Sequence, residues 1–329
     1  MRLPLVLAVA ALGFASAAPA RANRIASRLA AALAATAMLS CAPLAAQEAS
    51  PYQPARGQRG KDVVWIPTPD ALVTRMLKLA RVTPGDLVVD LGSGDGRIVI
   101  AAAREFKARA LGLEFDEKLV AHARRRADEE GVKDRVDFRQ ADIFAADFSN
   151  ADVVTMYLLP DLNLRLRPTL LAMKPGTRLV SHQFSLGKWL PDETSWVQGR
   201  PAYLWLVPVN AGGSWRASYP GRDGNVEAEL NVEQEFQRVR ASLEFGGIRT
   251  SLRNPQVEGA DLRFAFTDAE GLVRQVRATV AGDRIQGTVS GAAGEGEFKA
   301  QRIGATPPVG GSDPASDEEL SGALQLLGE

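Results

Sequence analysis

Val88-Val89-Asp90-Leu91-Gly92-Ser93-Gly94-Asp95-Gly96 runs from a short branched apolar segment into three glycines at alternate positions. Residues 87–91 have the length and branching of a strand buried on both faces, and from 97 to about 106 the apolar period becomes helical. A glycine loop between such a strand and helix turns backbone N–H groups toward a ligand at the carboxyl edge of a sheet. The dinucleotide fingerprint Gly-x-Gly-x-x-Gly needs a third glycine where Arg97 stands. Here the glycines are Gly92, Gly94 and Gly96, directly behind the acid Asp90. That order suits a cofactor with no pyrophosphate and a positively charged amino-acid end, whose ammonium the Asp90 carboxylate attracts while the glycines admit close backbone approach.

On either side the same alternation continues. Upstream, Thr68 is placed to cap a helix with Pro69 at its first position, and Leu72, Met76 and Leu79 share one face. Downstream come strands at 108–114, 135–139, 153–158 and 178–183, with helices at 117–130 and 164–173 between them. This is an α/β pattern, a Rossmann-like doubly wound domain of five strands over residues 62–198, after a linker at 51–61. Beyond Gly199 the apolar period becomes two, as in Val226, Ala228, Leu230 and Val232. Residues 200–303 therefore read as a separate antiparallel β-barrel or sandwich. Gly213-Ser214-Trp215 resembles the Gly-x-Trp near the start of lipocalin-like barrels. The tail at 304–329 is Pro/Gly/Ser-rich and acidic, the composition of disorder.

Composition excludes several functions. Among 329 residues the formal net charge is +0, so no general positive field holds a nucleic-acid backbone, and nucleic acid is not an expected partner. Cys41 is the single cysteine, and His122 and His182 lie far apart, which leaves neither an internal disulfide nor a metal-ligand cluster. His122 and the run Arg124-Arg125-Arg126 are expected on a solvated helix face.

Residues 1–50 read as a signal or anchor segment. They are Ala/Leu-rich, have no acid before Glu48, and carry two apolar runs separated by Arg21, Arg24 and Arg28. The second run ends in small residues, as at a signal cleavage site, and Met38-Leu39-Ser40-Cys41 resembles a lipoprotein box. Left uncleaved, about 18 mostly apolar residues would place the folded domains outside the cytoplasm. Export or membrane anchoring is thus the expected localisation.

The segment 88–96 resembles motif I of class I S-adenosylmethionine-dependent methyltransferases, and companions follow in order. Glu114 ends the second strand, where that family holds the ribose hydroxyls, and Asp142 follows the third, where a carboxylate accepts the adenine amino group. The resemblance implies S-adenosylmethionine as cofactor, bound by Asp90, Gly92, Gly94, Gly96, Glu114 and Asp142. Trp65-Ile66-Pro67-Thr68-Pro69, Tyr157-Leu158-Leu159-Pro160, Lys174-Pro175-Gly176 and Val180-Ser181-His182 narrow it. They resemble bacterial homologues of the small mitochondrial protein-lysine methyltransferases that act on the ATP synthase c-subunit and the adenine nucleotide translocase. The likeness covers about 62–192 and implies a protein methyl acceptor, with Tyr157 orienting its amine; His182, at the end of the fifth strand, is the candidate base near neutral pH. A small-molecule or lipid methyltransferase using the β domain as substrate module, and an exported binding protein with a relict fold, are the alternatives. A cytosolic cofactor and an exported domain stand in tension.

Overall fold

In the computed structural model, residues 52–61, 64–292 and 294–310 are described. The signal or anchor reading of 1–50 and most of the predicted disordered tail lie outside them. Among the described residues no helix is long and apolar enough to cross a membrane.

The first sheet is built from α1 (Asp70–Leu79), β1 (Leu87–Leu91), α2 (Arg97–Phe106), β2 (Arg109–Glu114), α3 (Glu117–Glu129), β3 (Val136–Gln140), β4 (Val153–Met156), α4 (Pro160–Leu171) and β5 (Arg178–His182). These five strands are parallel, in the order β3-β2-β1-β4-β5. Val88, Val89 and Leu91 of the central strand have no exposed surface, because helices cover both faces. Each contributes about 1.5–3 kcal/mol by burial. Helix α4 starts at Pro160, earlier than expected, since proline suits the first helical turn. Thr68 does not cap α1; Pro69 occupies the cap position and the Thr68 hydroxyl is engaged elsewhere.

Two strands that the sequence pattern does not give to this sheet complete it. β6 (Glu193–Val197) and β7 (Arg200–Leu206) form a hairpin turning at Gly199, φ +76°, with β7 antiparallel between β5 and β6. Residues 200–206 thus belong to the first sheet and not to the β domain. Their sequence is apolar on both sides because Ala202 and Leu204 pack into one core layer and Trp205 into the other.

The second sheet holds nine antiparallel strands, β8 (Gly213–Gly221) to β16 (Gly294–Ile303), in the order β11-β10-β9-β8-β16-β15-β14-β13-β12. It curls until the β10 (Arg238–Phe245) side faces β12 (Arg253–Glu258), a nearly closed barrel. Its interior is filled by buried Trp215, Tyr219, Phe245, Phe264, Phe266 and Phe298. Trp215 donates from Nε1 to the Ala211 carbonyl, and the Arg302 guanidinium lies 3.9 Å over its ring. The turn after β9 (Gly224–Glu235) reaches out of the barrel: Phe236 packs in the core of the first domain, stacked on Trp189.

Candidate active site

The carboxyl ends of β1, β2 and β4 open into a cavity of about 330 Å³. Asp90 is the last polar residue of β1, in register with Thr155 of β4, whose hydroxyl donates to Asp90 Oδ1 at 2.7 Å. Asp90 is 2% exposed, and its carboxyl is pushed up to about 7. Burial is the main cause; the charges of Glu114 and Asp95 add to it, and the Thr155 bond opposes it.

Gly92, Gly94 and Gly96 all have positive φ, +74°, +54° and +79°, which side-chain-bearing residues rarely adopt. A Cβ on Gly94 would overlap the indole of Trp65, and one on Gly96 would meet the Phe138 ring at 2.7 Å. Glu114 locks the turn, its carboxylate accepting from Gly94 N–H at 2.8 Å and from Asp116 N–H at 3.0 Å. Asp95, nearly buried, accepts from Arg97 at 2.7 Å and lies 2.9 Å from Arg126. Arg97, the residue that breaks the dinucleotide fingerprint, also donates to the Thr68 carbonyl and so ties the loop to the segment before α1.

Of the eight site residues expected from sequence, Asp90, Gly92, Gly94, Glu114, Asp142 and Tyr157 line the cavity. Gly96 instead serves as the left-handed cap of α2. Asp142 stands at the far end, more than a third exposed, and the Lys61 ammonium 2.8 Å away holds its carboxyl below the usual range.

His182 does not line the cavity. It is 1% exposed beneath Tyr157, with ring centroids 3.8 Å apart, and its Nδ1 is 3.1 Å from the Thr68 hydroxyl. Burial first, and the Arg200 charge second, push it down to about 4, so it is uncharged at neutral pH and too weak for the base expected of it. Tyr157 is shifted the other way by burial and keeps its phenolic proton.

His122 departs from the solvated face expected of it; of the arginine run, Arg124 is exposed as expected, while Arg125 and Arg126 are half-buried. His122 is 7% exposed and its Nδ1 lies 3.1 Å from the Tyr52 carbonyl; Arg125 donates to the same carbonyl, and Arg124 to that of Phe138. His122 and Arg125 thereby fasten an N-terminal strap, residues 52–61 and 64–68, across the loop. From that strap Lys61, Trp65 and Thr68 line the cavity, as do Ser93, Phe115, Leu158 and Phe184. None of these was predicted as a site residue: nothing in the local pattern marks a strap that docks far along the chain, and Ser93, Phe115, Leu158 and Phe184 stand next to predicted residues or strand ends without a chemistry that singles them out.

The residues present fit S-adenosylmethionine. A buried carboxylate waits at the glycine loop, the buried Ser93 hydroxyl has no hydrogen-bond partner in the described structure, and acids stand at the end of β2, Glu114, and two residues beyond β3, Asp142.

Known proteins agree. The profile of the ANTKMT methyltransferase domain matches residues 90–193. A protein-lysine N-methyltransferase of Saccharolobus islandicus is 40% identical over 151 residues, 44% of this chain and 94% of that protein. The ATP synthase c-subunit lysine N-methyltransferase of Xenopus laevis is 36% identical over 39% of this chain, and the match spans only 56% of its own length. Among solved structures, an RNA methyltransferase from Salinibacter ruber in complex with S-adenosyl-L-homocysteine is 53% identical over 43% of this chain and 94% of its own, with a TM-score of 0.43. The chain is an S-adenosylmethionine-dependent methyltransferase and belongs to the family that includes these lysine N-methyltransferases.

Proposed function

We propose that the chain is a protein-lysine N-methyltransferase. The observation that carries this reading is the 40% identity to the Saccharolobus protein-lysine N-methyltransferase over 94% of that relative. When bound, the cofactor supplies an activated methyl group on a sulfonium, and methyl transfer is an in-line displacement needing position and dryness more than covalent help.

The residues divide the work accordingly. Asp90 and the unpartnered Ser93 hydroxyl hold the amino-acid end, Glu114 the ribose and Asp142 the base. Tyr157, Leu158 and Phe184 form an apolar wall that excludes water and favours the uncharged form of a lysine amine, the form that attacks. Tyr157 Oη accepts a hydrogen bond from that amine and aligns it. The amine's proton passes to solvent before the attack, since His182 is uncharged, buried and off the cavity. On the same proposal residues 1–50 target the chain to a membrane or across it, which fractionation with N-terminal sequencing tests.

The activity is tested by incubating the full chain with methyl-labelled S-adenosylmethionine and membrane extract, then hydrolysing the labelled fraction. Methyllysine in a protein band is the expected product. Label confined to RNA or to small molecules overturns the lysine reading and leaves the methyltransferase one standing.

A further inference from the structure

The strap carries a narrow hairpin. Gly57 N–H donates to the Trp65 carbonyl and Trp65 N–H to the Gln58 carbonyl, each at 2.9 Å, and Arg59 bridges Val64. Two anchors fix its base: the Tyr52 carbonyl, held by Arg125 at 3.0 Å, and the Trp65 indole, seated against Gly94. Lys61, near the tip, is thereby delivered to the Asp142 end of the cavity. Its ammonium is 2.8 Å from Asp142 Oδ2 and 4.7 Å from the centroid of the Phe115 ring.

A carboxylate beside an exposed aromatic face is suited to a flat base with an exocyclic amino group: the ring stacks and the amino group donates. An ammonium satisfies the same two surfaces, by a charge-assisted hydrogen bond and by cation–π attraction. Both ligands cannot occupy them together. We infer that Lys61 is an affinity-setting residue of the cofactor site, its ammonium holding the Asp142–Phe115 seat so that the adenine binds by displacing it.

The inference rests on the reading of Asp142 as the adenine acceptor. The Lys61 and Asp142 side chains are 39% and 36% exposed, so the pair is a weak one that a base can displace reversibly. The same competition assists release of S-adenosylhomocysteine, which keeps the adenine.

Calorimetric titration of the full chain with S-adenosylhomocysteine, whose charges cancel, tests this. Lys61→Ala is expected to bind roughly 1.5- to 5-fold more tightly than wild type, the range set by an exposed ion pair. Lys61→Arg, which restores the cation, is expected to bind like wild type. Rising salt is expected to narrow the difference between wild type and Lys61→Ala. Equal affinity of Lys61→Ala and wild type overturns the competition, and weaker binding by Lys61→Ala makes Lys61 a direct cofactor ligand instead. Asp142→Asn supplies the separate control: full affinity in that variant places the base elsewhere and removes the foundation, whatever Lys61→Ala does.

Discussion

Phe236 of the β domain stacks on Trp189 of the methyltransferase domain with ring centroids 5.9 Å apart and planes within 6° of parallel. Phe236 is 4% exposed and Trp189 fully buried, and the Arg167 guanidinium approaches the Phe236 ring at 5.8 Å. The Trp189 carbonyl in turn accepts from Trp205 Nε1 at 2.7 Å, on β7 of the first sheet. Phe236 is thus the aromatic plug between barrel and catalytic domain, beside the polar contact of Gln237 Nε2 with the Leu190 carbonyl. Phe236→Ala is expected to cost about 3–5 kcal/mol, the usual range for deleting a buried phenylalanine. Denaturant unfolding reads it as a lower midpoint; an unchanged midpoint would mean that the two domains are stable independently of this contact.

Asp90 makes cofactor affinity depend on pH near neutrality. Its folded-state value, about 7, lies above the usual 3.8. The protonated form therefore stabilises the fold: that contribution is full below about 3.8 and is lost as pH rises through 7. Cofactor binding runs the other way, because only the carboxylate attracts an ammonium. Affinity for S-adenosylmethionine is expected to rise between pH 6 and 8, while Asp90→Asn abolishes the pH slope and weakens binding about 10- to 100-fold, as expected for losing a charged hydrogen bond. A wild-type Kd that is flat across that interval would show that Asp90 does not carry the interaction.

The parts of this arrangement that the sequence discloses are those written in neighbouring residues. Asp90 and the three glycines share one loop, and Glu114 ends the adjacent strand, so strand and helix periods alone place them at one sheet edge. The strap is different in kind. Lys61 meets Asp142 across 81 residues, and Thr68 meets His182 across 114, with no periodicity announcing either contact. His122 and Arg125 sit on a helix whose composition reads as solvated, yet the Tyr52 carbonyl, 70 and 73 residues away, gives both a partner. Strand β7 escapes assignment for a related reason: an apolar run buried on both faces carries no mark of which sheet receives it.

Tyr157 and His182 are expected to separate binding from catalysis. Tyr157→Phe keeps the ring over His182 and removes only the hydroxyl, so cofactor Kd should hold while kcat falls roughly tenfold or more, the effect of losing one hydrogen bond to the acceptor. His182 is depressed from 6.5 to about 4, so its contribution to stability is full above 6.5 and declines as pH falls toward 4. Its titration should leave no inflection near 6.5 in the rate profile. An inflection there that vanishes in His182→Gln would restore histidine as the base.

Gly94 meets two demands at once, and a double variant separates them. Its φ of +54° costs a side-chain-bearing residue about 1–2 kcal/mol, and a Cβ there would also overlap the Trp65 indole. Gly94→Ala must therefore push the strap off the loop or distort the turn whose N–H meets Glu114. Either movement disturbs the wall of the cavity, and affinity for S-adenosylhomocysteine is expected to fall by about tenfold, the equivalent of that strain. Trp65→Leu in the same chain relieves the overlap but leaves φ unchanged. If steric overlap dominates, the double variant recovers most of the lost affinity; if backbone strain dominates, it binds no better than Gly94→Ala. An affinity unaltered in Gly94→Ala would mean that the strap yields freely, and that Trp65 rests on the loop without shaping it.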